Sequence, residues 1–290
     1  MKKDTINLTI IDDTVLKQLK HYKKVQLDNM FKDSIDILAD YNITHLDLGP
    51  VYYNEPINKL PLTLIYLKLS LHYTHKLPQL PPKLVSLCLG WFYDHELLDL
   101  PETLRELTIG FRYSYKLPDL PLYLKSLTLN CKINEPLDFL PPQLEYLFID
   151  DYKYILDNLP NSLLTLKLCD YKLSLDMIPD SITTLDIKNY KNKINKLPAN
   201  IKDLQMYKRN PDYDVLKEKF RKEKLMVIEN SGFDEYYLMK LESINDEGLD
   251  FDDIEIRSNT TRSIVSSFTK FSKNRLESRV VLNRFINLIS

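Results

Sequence analysis

The chain has 290 residues, with 39 lysines and arginines against 41 aspartates and glutamates and a formal net charge of −2. That balance offers no global field to draw in nucleic acid or an anionic membrane, while a hydrophobic content of 44% argues against wholesale disorder. Five glycines leave no material for a phosphate-cradling loop, and no apolar run approaches the roughly 20 residues that span a bilayer.

Residues 1–42 hold no proline, and Asp12, Asp13, Lys17, Lys20 and Lys23 interrupt any stretch that could serve as a secretory signal. Ile6 with Leu8, and Val25 with Leu27, alternate as short strands do. The two pairs lie 19 residues apart, and the second lies 21 before Leu46 and Leu48 of the array that follows. The segment is expected to cap that array, with helices near Thr14–Tyr22 and Lys32–Tyr41 returning the chain.

Residues 43–206 are a repeat. A Leu-Pro or Ile-Pro pair ends at Pro61, Pro81, Pro101, Pro121, Pro141, Pro160, Pro179 and Pro198, a spacing of 20 four times and then 19 three times. An apolar triplet follows each pair, as in Leu64, Leu67, Leu69 or Leu104, Leu107, Ile109. Ile43, Leu46 and Leu48 open the series. Eight residues before each proline stands Tyr53, Tyr73, Tyr93, Tyr113, Ile133, Tyr152, Tyr171 or Tyr190. The last two triplet residues alternate, so each coil supplies one short strand with both side chains turned inward, and successive strands stack as a parallel sheet about 4.8 Å apart. Proline cannot donate to that ladder and belongs at a corner. The fold class expected is a repeat solenoid: a parallel β-sheet of similar coils with helical caps, stable only as a stack.

Residues 207–230 read as the second cap. A helix opens at Pro211 and Asp212 and runs to about Lys224, with Tyr213, Leu216 and Phe220 on one face, and Leu225 to Ile228 make a closing strand. Residues 231–290 form a tail of different character. Glu242 to Glu255 holds seven carboxylates and no lysine or arginine, whereas Arg257 to Ser290 holds seven basic residues and one acid. Leu276, Val280, Phe285, Leu288 and Ile289 give that basic part an amphipathic helical pattern.

Leu48-Gly49, Leu89-Gly90 and Ile109-Gly110, each leading to an aromatic and then Leu-Pro, resemble the FNIP repeat, a relative of the leucine-rich repeat. Tyr53-Asn54-Glu55-Pro56-Ile57 and Ile133-Asn134-Glu135-Pro136-Leu137 match its motif best; the other coils keep the aromatic and the final Leu or Ile. The resemblance covers residues 43–206 and implies a leucine-rich-repeat-like interaction protein of the kind found in giant DNA viruses and amoebae. One departure stands out. The leucine-rich repeat carries an asparagine three residues past the strand, where this chain has His72, Phe92, Arg112 and Lys132. Some FNIP proteins carry an F-box and select substrates for a ubiquitin ligase, but residues 1–49 serve better as a solenoid cap.

Other chemistry is weakly represented. His75 and His95 occupy equivalent places in adjacent coils, about 5 Å apart, with His72 nearby, yet no third or fourth zinc ligand is implied and no metal or cofactor is expected. No Gly-x-Ser-x-Gly or Cys–His arrangement occurs, and no catalytic residue can be nominated. The tyrosine column could be taken for a base-stacking platform, but its register with the buried leucines makes it core. Cys88, Cys131 and Cys169 are odd in number and widely spaced, as in a reduced, cytoplasmic protein, which for a viral chain means the host cytoplasm.

The expected function is therefore a monomeric protein-interaction scaffold with protein partners. A substrate adaptor for ubiquitin ligation is the alternative, and an enzyme comes third. Residues between the inward positions must face out in two columns: His45, Tyr66, Ser86, Glu106, Ser126, Tyr146, Thr165, Thr184, Asp203, and Asp47, Lys68, Cys88, Thr108, Thr128, Phe148, Lys167, Asp186, Gln205. Tyr66, Lys68, Tyr146, Phe148 and Lys167 are the candidate partner-binding residues on this face. Trp91 and Phe111, just past adjacent strands, either extend the patch or pack against the loop edge.

Overall fold

The structure, a computed structural model, describes residues 4–49, 52–208, 210–222 and 226–228. The chain divides into two units, residues 1–230 and 231–290. The acidic run and the amphipathic segment near the C-terminus fall in the second and lie outside the described residues.

Twelve strands form one sheet in strict sequence order. They are β1 (Thr5–Leu8), β2 (Lys24–Leu27), β3 (His45–Asp47), β4 (Tyr66–Lys68), β5 (Ser86–Cys88), β6 (Glu106–Ile109), β7 (Ser126–Leu129), β8 (Tyr146–Ile149), β9 (Thr165–Leu168), β10 (Thr184–Asp186), β11 (Asp203–Gln205) and β12 (Met226–Ile228). Every pairing is parallel, and the register puts Leu46, Leu67, Leu87, Leu107, Leu127, Leu147, Leu166, Leu185 and Leu204 in one line. That line is the center of the core and is sealed from solvent throughout. The strands of the first cap pair as the spacing predicts, Ile6 with Val25 and Val25 with Leu46.

Each coil is closed by two turns. The proline carbonyl accepts a hydrogen bond from the first triplet residue, as in Leu104 to Pro101 at 2.9 Å and Leu124 to Pro121 at 3.0 Å, so proline opens a turn that needs no donor from it. After the strand, Tyr73 and Tyr93 donate their N–H groups to Ser70 and Gly90, at 3.3 Å each. This second corner is tight: a Cβ on Gly110 would stand 2.0 Å from the Gly90 carbonyl oxygen. The Leu-Gly pairs thus mark backbone contact between coils. In two of the shorter coils Asp151 and Asp170 turn the chain with φ of 40° and 48°, a conformation aspartate tolerates better than most residues.

The helices differ in part from expectation. Helix α1 (Asp13–Leu19) begins where Asp12 accepts from the Val15 N–H at 2.8 Å. Helix α2 (Tyr213–Lys222) buries Tyr213 and Phe220, and Leu216 packs partly buried beside the core. The predicted helix over 32–41 is instead a short 3₁₀ segment, Asp36–Asp40. Its acids are spent on neighbouring coils: Asp33 accepts from Ile11 N–H, and Asp36 from the N–H groups of Asn58 and Lys59. Those cross-coil bonds engage the acids that a longer helix would have used as caps.

Candidate protein-interaction face

The outward columns are those expected. Strand register places His45 beside Tyr66, Tyr66 beside Ser86, Tyr146 beside Thr165, and Phe148 beside Lys167. Inward leucines alternate with half-buried outward residues in β4, β8 and β9, while Glu106 on β6 is exposed and Asp186 on β10 is buried.

The candidate residues gather in two groups. In the first, the His45 ring stacks on Tyr66 at 5.9 Å and 24°, and the Lys68 ammonium lies 3.4 Å from the Asp47 carboxylate. Burial, with Asp47, Cys88 and Glu106 adding negative charge, pushes the Tyr66 phenol up to about 12. Burial, with Lys24 beside it, pulls the His45 imidazole below its usual range, so this ring is neutral at neutral pH. A depression of about 190 Å³ opens here, lined by Thr5, Lys24, Val25, Gln26, His45, Asp47 and Tyr66. In the second group, Phe148 borders Lys167 across β8 and β9, and the Lys167 ammonium sits 5.7 Å from the Tyr146 ring. Four strand steps of about 4.8 Å, roughly 19 Å, separate Tyr66 from Tyr146. The floor between them is narrow-chained: Ser86, Cys88, Thr108, Ser126 and Thr128, with Glu106 exposed among them. Tyr66 and Phe148 are thus two anchors on one face and do not form one cluster.

Trp91 is 8% exposed, its ring stacked on the half-buried Phe111 at 5.8 Å and 25°. Of the two readings of Trp91, this packing favours the second, with the ring set against the loop edge. One position further along, sequence reasoning missed an aromatic ladder. Tyr52 stacks on His72 at 6.0 Å, His72 on Phe92 at 4.5 Å, and the Arg112 guanidinium lies 5.6 Å from the Phe92 ring. These side chains fill the place of the leucine-rich-repeat asparagine, and backbone bonds Phe92 N–H to Leu71 and Arg112 N–H to Trp91 tie the coils beneath them. The 20-residue identity of position among His72, Phe92 and Arg112 was the signal available.

His75 and His95 do stand in equivalent places, but their Nε2 atoms each bond a carbonyl of the preceding coil, Asn54 at 2.9 Å and Thr74 at 2.7 Å. Among the described residues no group of three or more His, Cys, Asp or Glu could hold a metal ion. None of the described helices is long and apolar enough to cross a membrane. Cys88, Cys131 and Cys169 are free thiols, and burial raises Cys88 above its ordinary range and Cys131 to about 12, so both are protonated and unreactive.

Neither a protein-family profile nor a curated protein matches the chain. Among solved structures it is similar to CroV588, described as a circular leucine-rich-repeat protein, with 22% identity and a TM-score of 0.61. That match covers 72% of this chain and 38% of CroV588, so the chain spans well under half of its neighbour's length. YopM from Yersinia enterocolitica WA-314 matches at 25% identity over 65% of this chain and 46% of its own, with a TM-score of 0.44. The likeness to CroV588 is one of fold, and with the register above it makes this chain a parallel-sheet solenoid of leucine-rich-repeat type.

Proposed function

We propose that the protein is an interaction scaffold without catalysis of its own, binding a protein partner across the outward face of its sheet. The observation that carries this reading is the pair of half-buried aromatic anchors, Tyr66 at one end and Tyr146 with Phe148 at the other, standing above a floor of small side chains. Aromatic rings held rigid by their neighbours offer large contact area at little entropic cost, which is why they dominate interface energetics. Lys68 and Lys167 flank them as polar rim contacts.

We read the coils as FNIP-type leucine-rich repeats, since the motif residues have definite roles in the coil. Tyr53, Ile57 and Ile133 are buried, and the Asn54 side chain accepts from the Thr74 N–H at 2.8 Å, linking two coils. The ubiquitin-adaptor alternative is not favoured by residues 4–42, because β1 and β2 pair into the sheet and this segment is part of the stack. Cys88 on β5 and Cys131 just past β7 are separated by at least two strand steps, roughly 10 Å or more, beyond disulfide reach; this accords with action in a reducing compartment such as the cytoplasm.

The test is the triple variant Tyr66→Ala, Tyr146→Ala, Phe148→Ala, with an unchanged circular dichroism spectrum as the entry condition. Affinity capture followed by mass spectrometry should lose the partners recovered with wild type. Undiminished recovery of all of them would move the binding site off the sheet face.

A further inference from the structure

The sheet face carries an ordered set of charges that stand outside the ion pairs made among the described residues, with Lys167 also the register neighbour of Asp186. Asp47 is neutralised by Lys68 at 3.4 Å and Asp186 by Lys188 at 3.2 Å. Lys24 on β2, Glu106 on β6, Lys167 on β9 and Asp203 on β11 make no ion pair among the described residues; Lys167 faces the Tyr146 ring, and Asp203 accepts from the Thr184 hydroxyl at 3.4 Å. Glu106, Lys167 and Asp203 belong to the outward columns and Lys24 extends the first of them by its register with His45; Lys24 and Glu106 are exposed. From one end of the sheet to the other the sign alternates: plus, minus, plus, minus. Steps of four, three and two strands place these charges roughly 19, 14 and 10 Å apart.

We infer that the partner is an extended segment of mixed charge laid across the strands, reading acid, base, acid, base from β2 to β11, with apolar side chains seated on Tyr66 and on Tyr146 with Phe148. This rests on the sheet face being the binding surface and adds the chemistry of what it binds. Nine strand steps span roughly 43 Å, which an extended chain covers in about 13 residues. The floor of Ser86, Thr108, Ser126 and Thr128 lets a backbone approach closely and offers hydroxyls to its peptide groups. At the β1–β4 end, the depression beside Lys24 is lined by Thr5, Val25, Gln26, His45, Asp47 and Tyr66 and has room for one carboxylate side chain, with the Asp47 carboxylate held by Lys68. Glu106, alone in the middle, selects a cation and rejects a uniformly acidic chain by like-charge repulsion.

The experiment is selection of displayed random 16-residue peptides on the full-length protein, with the enriched pool sequenced. Wild type is expected to enrich peptides with a Lys or Arg flanked by acids, about six residues away on one side and about four on the other, in either chain direction. Glu106→Lys should change the preferred central residue to Asp or Glu. Lys24→Glu combined with Lys167→Glu should lower recovery of the wild-type pool by roughly ten-fold or more. Peptides that depend on Tyr66, Tyr146 and Phe148 but show no charge order, or are indifferent to Glu106→Lys, would overturn this proposal and leave the sheet-face reading standing. Peptides indifferent to the triple alanine variant would overturn both. Failure to enrich any peptide would also count against an extended segment as the partner.

Discussion

The phenol oxygen of Tyr152 accepts a hydrogen bond from the buried backbone N–H of Leu137, at 2.8 Å and 15 residues upstream. Tyr73 does the same for Ile57 at 3.3 Å, and Tyr113 for Leu97 at 3.4 Å. The tyrosine column is therefore core by its ring and structural by its hydroxyl. Each ring fills the coil; the hydroxyls of Tyr73, Tyr113 and Tyr152 satisfy amides that the loop leaves without a sheet partner, while that of Tyr190 donates to the Leu173 carbonyl. Tyr152→Phe keeps the ring and its stacking on Tyr171 but orphans the Leu137 amide. A loss of about 1–3 kcal/mol is expected, read by denaturant unfolding. An unchanged midpoint would show that the loop finds another acceptor.

The same column sets an alkaline limit. Burial pushes Tyr73, Tyr113 and Tyr171 up to about 12, from an ordinary value of 10.0. Their folded values lie above the unfolded ones, so the native state holds more protons between those limits. The associated stability is full below about pH 10 and is lost as pH rises through 10 toward 12. Thermal stability should fall over that window, and tyrosinate absorbance should appear together with unfolding. Smooth ionisation at ordinary pH in a chain that remains folded would contradict the burial assigned to these phenols.

The period of the repeat made the strands, their register and the tyrosine column legible, because a coil that stacks on copies of itself must place equivalent residues in line. Val25 and Leu27 could be placed in the sheet for the same reason. What failed was anything decided by contact between unlike coils. Asp33 and Asp36 look like helix-start residues, yet they bond Ile11, Asn58 and Lys59 across coils. Trp91 kept two readings, patch or edge packing, because the choice turns on its stacking against Phe111 of the next coil. Glu106, Lys167 and Asp203 were visible in the columns, but Lys24 joins them only through its register with His45, and the order of charge emerges once the Asp47–Lys68 and Asp186–Lys188 pairs are subtracted.

Leu107 tests the stack itself. It is 1% exposed, paired with Leu87 and Leu127 on its two sides, and lies in the middle of the array. Leu107→Asp places a charge where no partner and no water can reach it, at a cost of at least about 5 kcal/mol. The far-ultraviolet spectrum should lose its native form at ambient temperature, or the melting temperature should fall by well over ten degrees. Melting within a few degrees of wild type would mean that the side chain escapes the core and that the inward column is misassigned.

The edge ladder makes a separable claim. The His72 ring lies 4.5 Å from Phe92 and 6.0 Å from Tyr52, nearly parallel to both, so the three rings form a column running from coil to coil beside the sheet. Here the stacked rings add to the backbone bonds that tie the coils, and such stacking is worth about 0.5–1.5 kcal/mol per pair beyond the area buried. A double-mutant cycle with His72→Ala and Phe92→Ala should return a coupling energy in that range, because each single change removes the contact and leaves the backbone bond from Phe92 to Leu71 in place. Additive effects of the two substitutions would reduce the ladder to juxtaposition. The same variants separate edge from face: with the sheet columns intact, they should recover the partners of the wild-type protein. Partner loss on His72→Ala alone, with the fold preserved, would make the aromatic edge the binding surface and leave Tyr66, Tyr146 and Phe148 without that role.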